Sequence, residues 1–381
     1  MEKSIKTTAG RSAWSRRLLI YALMLVNAGV YGQHSVAVNI TIVEDAVAKG
    51  ALCLDGSPAG YHYSEGYGDG ANNWLVYLAG GGWCGSTAGC INRVKKLPGV
   101  ASTINVTITY FNGILSPNQT LNPDFYNWNR VSVRYCDGSS FLGDVEAVDP
   151  ETNLHFRGSK IFSAVVDELL EKGLRNAQNV ILAGNSAGGL ATILNCDRFT
   201  TLVPNANRVK CISDSGFFIR AKELPNASKR ETTFAKIVSL HGIAKNLPTS
   251  CTSRMDPGLC FFPENVVGDV ETPLFLLNSA FDKFQISFSL KPYPGDEPDF
   301  RDAFLETLSD VGGCPMSRGM FINSCYIHDH LYSNPRWNFD GSPILGNKTI
   351  AQVVGDWYFD RNSVKLIDDK TDYPIDCHVS E

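Results

Sequence analysis

Apolar residues along this chain fall into short runs separated by polar, glycine-rich segments. Trp74 to Leu78, Val131 to Tyr135, Val180 to Ala183, Val209 to Ile212, Leu274 to Leu277 and Met320 to Ile322 have the pattern of strands covered on both faces. Between the second and third of these, Ile161, Phe162, Val165, Val166, Leu169 and Leu170 recur at helical spacing and stop at Gly173. Strands alternating with helices predict an α/β fold, a mostly parallel sheet with helices on both faces. A second helical segment is expected over 231–246, outside the sheet, as part of a cap or as an ordinary covering helix. Ile350, Val353, Val354, Trp357 and Tyr358 predict a last packing helix without chemistry. Segments 112–124 and 291–300, rich in Pro, Gly and Asn, read as surface insertions over the sheet's rim. No internal repeat, low-complexity tract or charge run divides the chain, so residues 33–381 are expected to form one domain.

The first residues break this pattern. Lys3, Lys6, Arg11, Arg16 and Arg17 precede the apolar run Leu18 to Val26, and the small residues Ala28, Gly29 and Gly32 follow it. That is the layout of a secretory signal peptide over residues 1–32, with the mature chain starting near Gln33. The run is shorter than the roughly 20 residues that span a bilayer, so no stable membrane association is expected. Eleven cysteines, all beyond this segment, and sequons at Asn39, Asn105, Asn118, Asn226 and Asn347 fit the same oxidising route. The near pairs Cys84/Cys90, Cys251/Cys260 and Cys314/Cys325 have spacings that would close short loops, and the odd number leaves one thiol over. With 44% hydrophobic and 19% charged residues the chain can bury a sizeable core. A net charge of −5, without a basic block beyond the leader, argues against nucleic acid as a partner.

One motif carries reactive chemistry. Val180-Ile181-Leu182-Ala183 runs into Gly184-Asn185-Ser186-Ala187-Gly188 and then into a helical pattern, which is a G-x-S-x-G elbow in the strand-to-helix context it requires. Small residues at 184 and 188 allow neighbouring segments to approach a strained Ser186, the candidate nucleophile. Upstream, Gly80-Gly81-Gly82-Trp83 follows another strand without the Gly-Lys-Ser/Thr of a phosphate loop. Its amides, with that of Ala187, are candidate oxyanion donors. In the chain order Ser, Asp or Glu, His, the acid is expected at Asp282, just past the strand Leu274 to Leu277. Of the seven histidines only His328, His330 and His378 follow it, and the last sits in the tail. Spacing does not choose between His328 and His330, which share a face if the segment is extended.

Several motifs together resemble the pectin acetylesterase family, which includes the animal carboxylesterase Notum. They are Trp74-Leu-Val, Gly80-Gly81-Gly82-Trp83-Cys84, Arg134-Tyr135-Cys136-Asp137-Gly138-Ser139, Gly184-Asn185-Ser186-Ala187-Gly188-Gly189, Asp214-Ser215-Gly216-Phe217-Phe218, Phe321-Ile322-Asn323-Ser324-Cys325 and Gly355-Asp356-Trp357-Tyr358. The resemblance implies an α/β-hydrolase-like fold with Ser186, Asp282 and His328 as catalytic triad. It implies oxyanion donors at Gly82, Trp83 and Ala187, and no metal or organic cofactor. The implied protein is a secreted, cell-wall serine esterase, a monomer, that removes acetyl groups from homogalacturonan. The chain departs from the family at Asp329, where relatives usually carry a Cys after the histidine, and in a tail without a Cys-rich ending. A disulfide near the site is therefore expected to be lost, with Cys377 the cysteine left over. The alternatives are an esterase acting on a lipid or another glycan ester, and a wall-binding homologue weakened in catalysis.

Overall fold

Period-two alternation within the buried strands sorts their side chains onto two faces, and each face finds its own helices. In this computed structural model, which describes residues 36–148, 150–289, 297–310, 318–339 and 341–377, Trp74, Val76, Leu78, Val180 and Leu182 pack with Ile161, Phe162, Val165 and Leu169 of the helix Gly158–Glu171. Leu75, Tyr77, Ile181, Ala183, Phe275 and Leu277 point the other way, onto Val353, Val354, Trp357 and Tyr358 of the helix Ile350–Tyr358. That last helix is closed at its start by a capping box between Thr349 and Gln352.

The strands are β1 (Val36–Ile42), β2 (Gly60–Ser64), β3 (Asn73–Leu78), β4 (Ile108–Phe111), β5 (Asn129–Val133), β6 (Asn179–Asn185), β7 (Arg208–Asp214), β8 (Leu274–Ser279), β9 (Gly319–Asn323) and β10 (Lys365–Ile367). They form one ten-stranded sheet in the order β10-β9-β8-β7-β6-β3-β5-β2-β1-β4. Neighbours from β10 to β5 are parallel, and β2, β1 and β4 continue it antiparallel. The fold is an α/β-hydrolase fold. Each strand expected from the apolar runs is present, although β5 stops at Val133 and leaves Tyr135 to turn inward. The antiparallel flank and β10 carry no comparable signal: β1 alternates with polar residues and is largely exposed, and β10 is three residues long.

Two expectations are corrected here. Segment 112–124 is not simply a surface insertion, because Ile114, Leu115, Ser116, Leu121 and Asn122 are buried, with the Asn122 amide donating to the Ile114 and Ser116 carbonyls. Cys325 pairs with Cys377, not with Cys314, so Cys377 is not left over and the tail is tied three positions before His328. The reason is topological: β10 runs beside β9, and the tail beyond it bridges Cys325 at Ile375. The expected Cys84–Cys90 and Cys251–Cys260 bonds are present, and Cys53–Cys136 and Cys196–Cys211 complete the set among the described residues. Cys314, the signal segment 1–32, His378 and the first part of segment 291–300 lie outside the described residues.

Candidate active site

Parallel strands in register bring the chemistry-bearing residues to one sheet edge. Leu78 pairs with Gly184 and Asn185 with Asp214, so the segments after β3, β6 and β7 start side by side. Asp282 follows β8 and His328 follows β9 along the same rim, where open α/β sheets hold their ligands. At the end of β6 the chain turns at Ser186 with φ 52° and ψ −123°. An L-residue there carries strain of order 1–3 kcal/mol, held by the Ser186 N–H donating to the Asp214 carbonyl at 2.8 Å. The turn is possible because Gly188 lies against the Leu78 carbonyl and Gly80 against Asn185, where any Cβ would collide with backbone.

The structure brings Ser186, His328 and Asp282 together. His328 Nε2 lies 2.8 Å from Ser186 Oγ, and His328 Nδ1 lies 2.8 Å from Asp282 Oδ2. Asp282 is fully buried, and its other oxygen accepts the Gln285 N–H at 2.9 Å, which fixes the carboxylate plane at the start of the helix Lys283–Ser289. His330 goes elsewhere. Its Nδ1 meets Asp214 Oδ1 at 2.7 Å, while Asp214 Oδ2 accepts the N–H of His330 and of Leu331. Burial pushes the Asp214 carboxyl up, but His330 and those amides outweigh it and hold it below its ordinary value. This buried pair pins the His328 loop to the end of β7, an anchoring role that sequence reading did not assign.

Electrostatics at His328 are decided by carboxylates. Burial opposes a charged imidazole, yet Asp282, Asp329 and Asp214 outweigh it and raise the histidine to about 9. Asp329 Oδ1 stands 3.6 Å from His328 Nε2. Burial raises Asp329 to about 6, with His328 pulling against it.

The glycine loop is held by its carbonyls. The Gly81 carbonyl accepts from Arg93, and the Gly82 carbonyl accepts from Tyr135 Oη at 2.5 Å. In a trans peptide the N–H opposes the C=O, so anchoring these two carbonyls turns the amides of Gly82 and Trp83 the opposite way. Among the described residues, neither these amides nor that of Ala187 finds a partner within the chain. Tyr135 and Arg93 were not singled out from the sequence, where only the Arg134 to Ser139 motif marked the neighbourhood. Beside the loop, Trp83, Phe218, Phe234, Ile237 and Phe284 line an apolar pocket of about 300 Å³. The helix Ala227–Leu240, expected over 231–246 and outside the sheet, supplies part of its wall. Cys84, Cys90 and His241 place ligand-type atoms within 4.8 Å of one another, but the two sulfurs are bonded together and offer no thiolate.

A family model described as Pectinacetylesterase matches residues 31–298 and 296–380. Pectin acetylesterase 7 of Arabidopsis thaliana is 45% identical over 94% of this chain and 95% of its own length. Palmitoleoyl-protein carboxylesterase notum1a of Danio rerio is 29% identical over 74% of this chain and 59% of its own length. The solved structure of the Wnt deacylase Notum from Drosophila superposes with a TM-score of 0.77 at 24% identity, covering 89% of this chain and 98% of that one, a likeness of fold.

Proposed function

Because the chain belongs to the pectin acetylesterase family and is a carboxylic-ester hydrolase, we propose that it removes acetyl groups from homogalacturonan with Ser186 as nucleophile, His328 as base and Asp282 as orienting acid. The observation that carries this reading is the unbroken run of hydrogen bonds from Ser186 Oγ through His328 to Asp282. His328 Nε2 takes the hydroxyl proton as Ser186 Oγ attacks the acetyl carbonyl. The amides of Gly82, Trp83 and Ala187 receive the oxyanion. Collapse expels the sugar hydroxyl, protonated by His328, and water repeats the sequence on the acyl-enzyme to release acetate. Purified protein is expected to liberate acetate from acetylated homogalacturonan; an absence of acetate would sink the substrate assignment.

The proposed setting is a glycosylated monomer secreted to the cell wall after loss of residues 1–32. Five disulfides among the described residues support an oxidising compartment. The sequon residues Asn39, Asn105 and Asn347 are exposed, and Asn118 and Asn226 partly so. The family match begins at residue 31, at the end of the proposed leader. Among the described residues no helix is long and apolar enough to cross a membrane. The apolar pocket favours one second reading, an ester with a longer acyl chain. Rates on 4-nitrophenyl esters of increasing length separate the two, since an acetyl-specific site loses kcat/KM as the chain grows.

A base must be unprotonated to accept the serine proton, so kcat/KM is expected to rise through a limb near the His328 value of about 9. Below that pH the imidazole already holds its proton. Asp329→Asn removes a charge that favours imidazolium, so the limb should move to lower pH and activity at neutral pH should rise; a pH profile with an unmoved limb would refute this. Tyr135→Phe removes the hydroxyl that anchors the Gly82 carbonyl. It is expected to lower kcat about tenfold with little change in KM, and steady-state kinetics on 4-nitrophenyl acetate check it.

A further inference from the structure

A polar recess of about 360 Å³ meets the glycine loop at Ala79 and Gly80 and shares no lining residue with the apolar pocket. Ala79, Gly80 and Asn185 line it, so it begins one residue from Ser186. Its walls hold polar groups with nothing to bond. Among the described residues, His62 Nε2, Tyr77 Oη and Arg134 Nε are buried and have no hydrogen-bond partner. His62 and Tyr77 are only 2% and 1% exposed, so leaving them unmatched is costly unless something enters the recess. Two guanidinium groups line it, Arg134 and Arg336, and among the described residues neither forms an ion pair. Among the described residues Arg134 donates only to the Gly99 carbonyl, and Arg336 only to the carbonyls of His328 and Asp329. Both therefore retain free N–H groups. One carboxylate, Asp329, shares the lining; burial raises it to about 6, so at neutral pH it carries a charge, which lies 3.6 Å from His328 Nε2.

We infer that this recess is a uronate subsite, in which Arg134 and Arg336 bind the carboxylate of the sugar that carries the ester or of its neighbour while His62 and Tyr77 hydrogen-bond its hydroxyls. The choice of a uronate rests on the proposed pectin substrate, a polymer bearing one carboxyl per unesterified sugar. The recess itself is defined by unpaired cations and unmatched polar atoms. Guanidinium groups suit a carboxylate because two parallel N–H bonds match its two oxygens. Burial beside the serine makes the contact less screened than a surface pair. The subsite and the apolar pocket then divide the work: sugar on the Gly80 side, acyl group on the Trp83 side.

The test uses unacetylated trigalacturonate as an inhibitor of 4-nitrophenyl acetate hydrolysis, with cellotriose as its neutral counterpart. Trigalacturonate is expected to inhibit the full-length protein competitively, with an inhibition constant about tenfold or more below that of cellotriose. Added salt should narrow the difference. Arg336→Gln and Arg134→Gln should each weaken trigalacturonate about tenfold without a matching change for cellotriose, and Arg336→Lys should recover part of the loss. Should a variant turn over too slowly to follow, calorimetric titration of trigalacturonate into it gives the same comparison. Equal inhibition by the two trisaccharides, or glutamine variants that bind trigalacturonate as tightly as the parent, would overturn the subsite. The two proposals fail separately. A protein that binds trigalacturonate selectively but frees no acetate from acetylated homogalacturonan keeps the subsite and loses the substrate, and the converse result keeps the substrate and loses the subsite.

Discussion

Ser186→Ala is expected to reduce kcat on acetyl esters by a factor of about a million, leaving the protein folded. The loss is large because, among the described residues, Ser186 Oγ is the hydroxyl that meets His328 Nε2, at 2.8 Å, and the substitution removes the atom proposed to form the acyl-enzyme. The proposed oxyanion amides remain, and a residual rate above that in water is expected from them. Folding should survive because alanine keeps the backbone that donates to Asp214, and the strain at φ 52° is common to both residues. An unchanged melting temperature with lost acetate release, and lost labelling by a fluorophosphonate, is the expected combination. Acetate release at the parent's rate would end the assignment of Ser186.

Asp282→Asn should lower kcat by about ten-thousand-fold, although it changes little in shape. The fully buried carboxylate meets His328 Nδ1 and so keeps Nε2 free to accept the serine proton. An asparagine amide that donates to Nδ1 selects the other tautomer, which points an N–H at Ser186 and cannot act as base. The Gln285 cap survives on the amide oxygen, so stability should fall little. Removing this charge also lowers the His328 value from about 9, so the acid limb should shift downward while the plateau collapses. A full pH profile separates these effects, since a purely structural role would lower the rate without moving the limb.

His328 and His330 illustrate why part of the site was not legible along the chain. Residues two apart share a face only in an extended segment, but Asp329 turns the backbone with φ 73° and its N–H donates to Ser215 Oγ. One ring is thereby sent to Ser186 and the other to Asp214. Family resemblance selected His328, whereas spacing had no means to do so. The same limit explains the cysteines: Cys314 and Cys325 are near in sequence, yet the tail beside β9 brings Cys377 to Cys325. Tyr135 stood in a noted motif, but its role depends on a carbonyl 53 residues away.

The sequence alone determined the buried strands, the helices that cover them, the elbow at Ser186 and the position of Asp282 past a strand. Each of these follows from local rules, namely side-chain period, steric room at glycine and the chain direction of a βα unit. Only the tertiary structure decided that Cys325 joins Cys377, that His330 is diverted to Asp214, what holds the glycine-loop carbonyls and that, among the described residues, two arginines beside the site form no ion pair. Those outcomes depend on strand order and register across the sheet, which bring together residues whose separation along the chain carries no information about their distance in space.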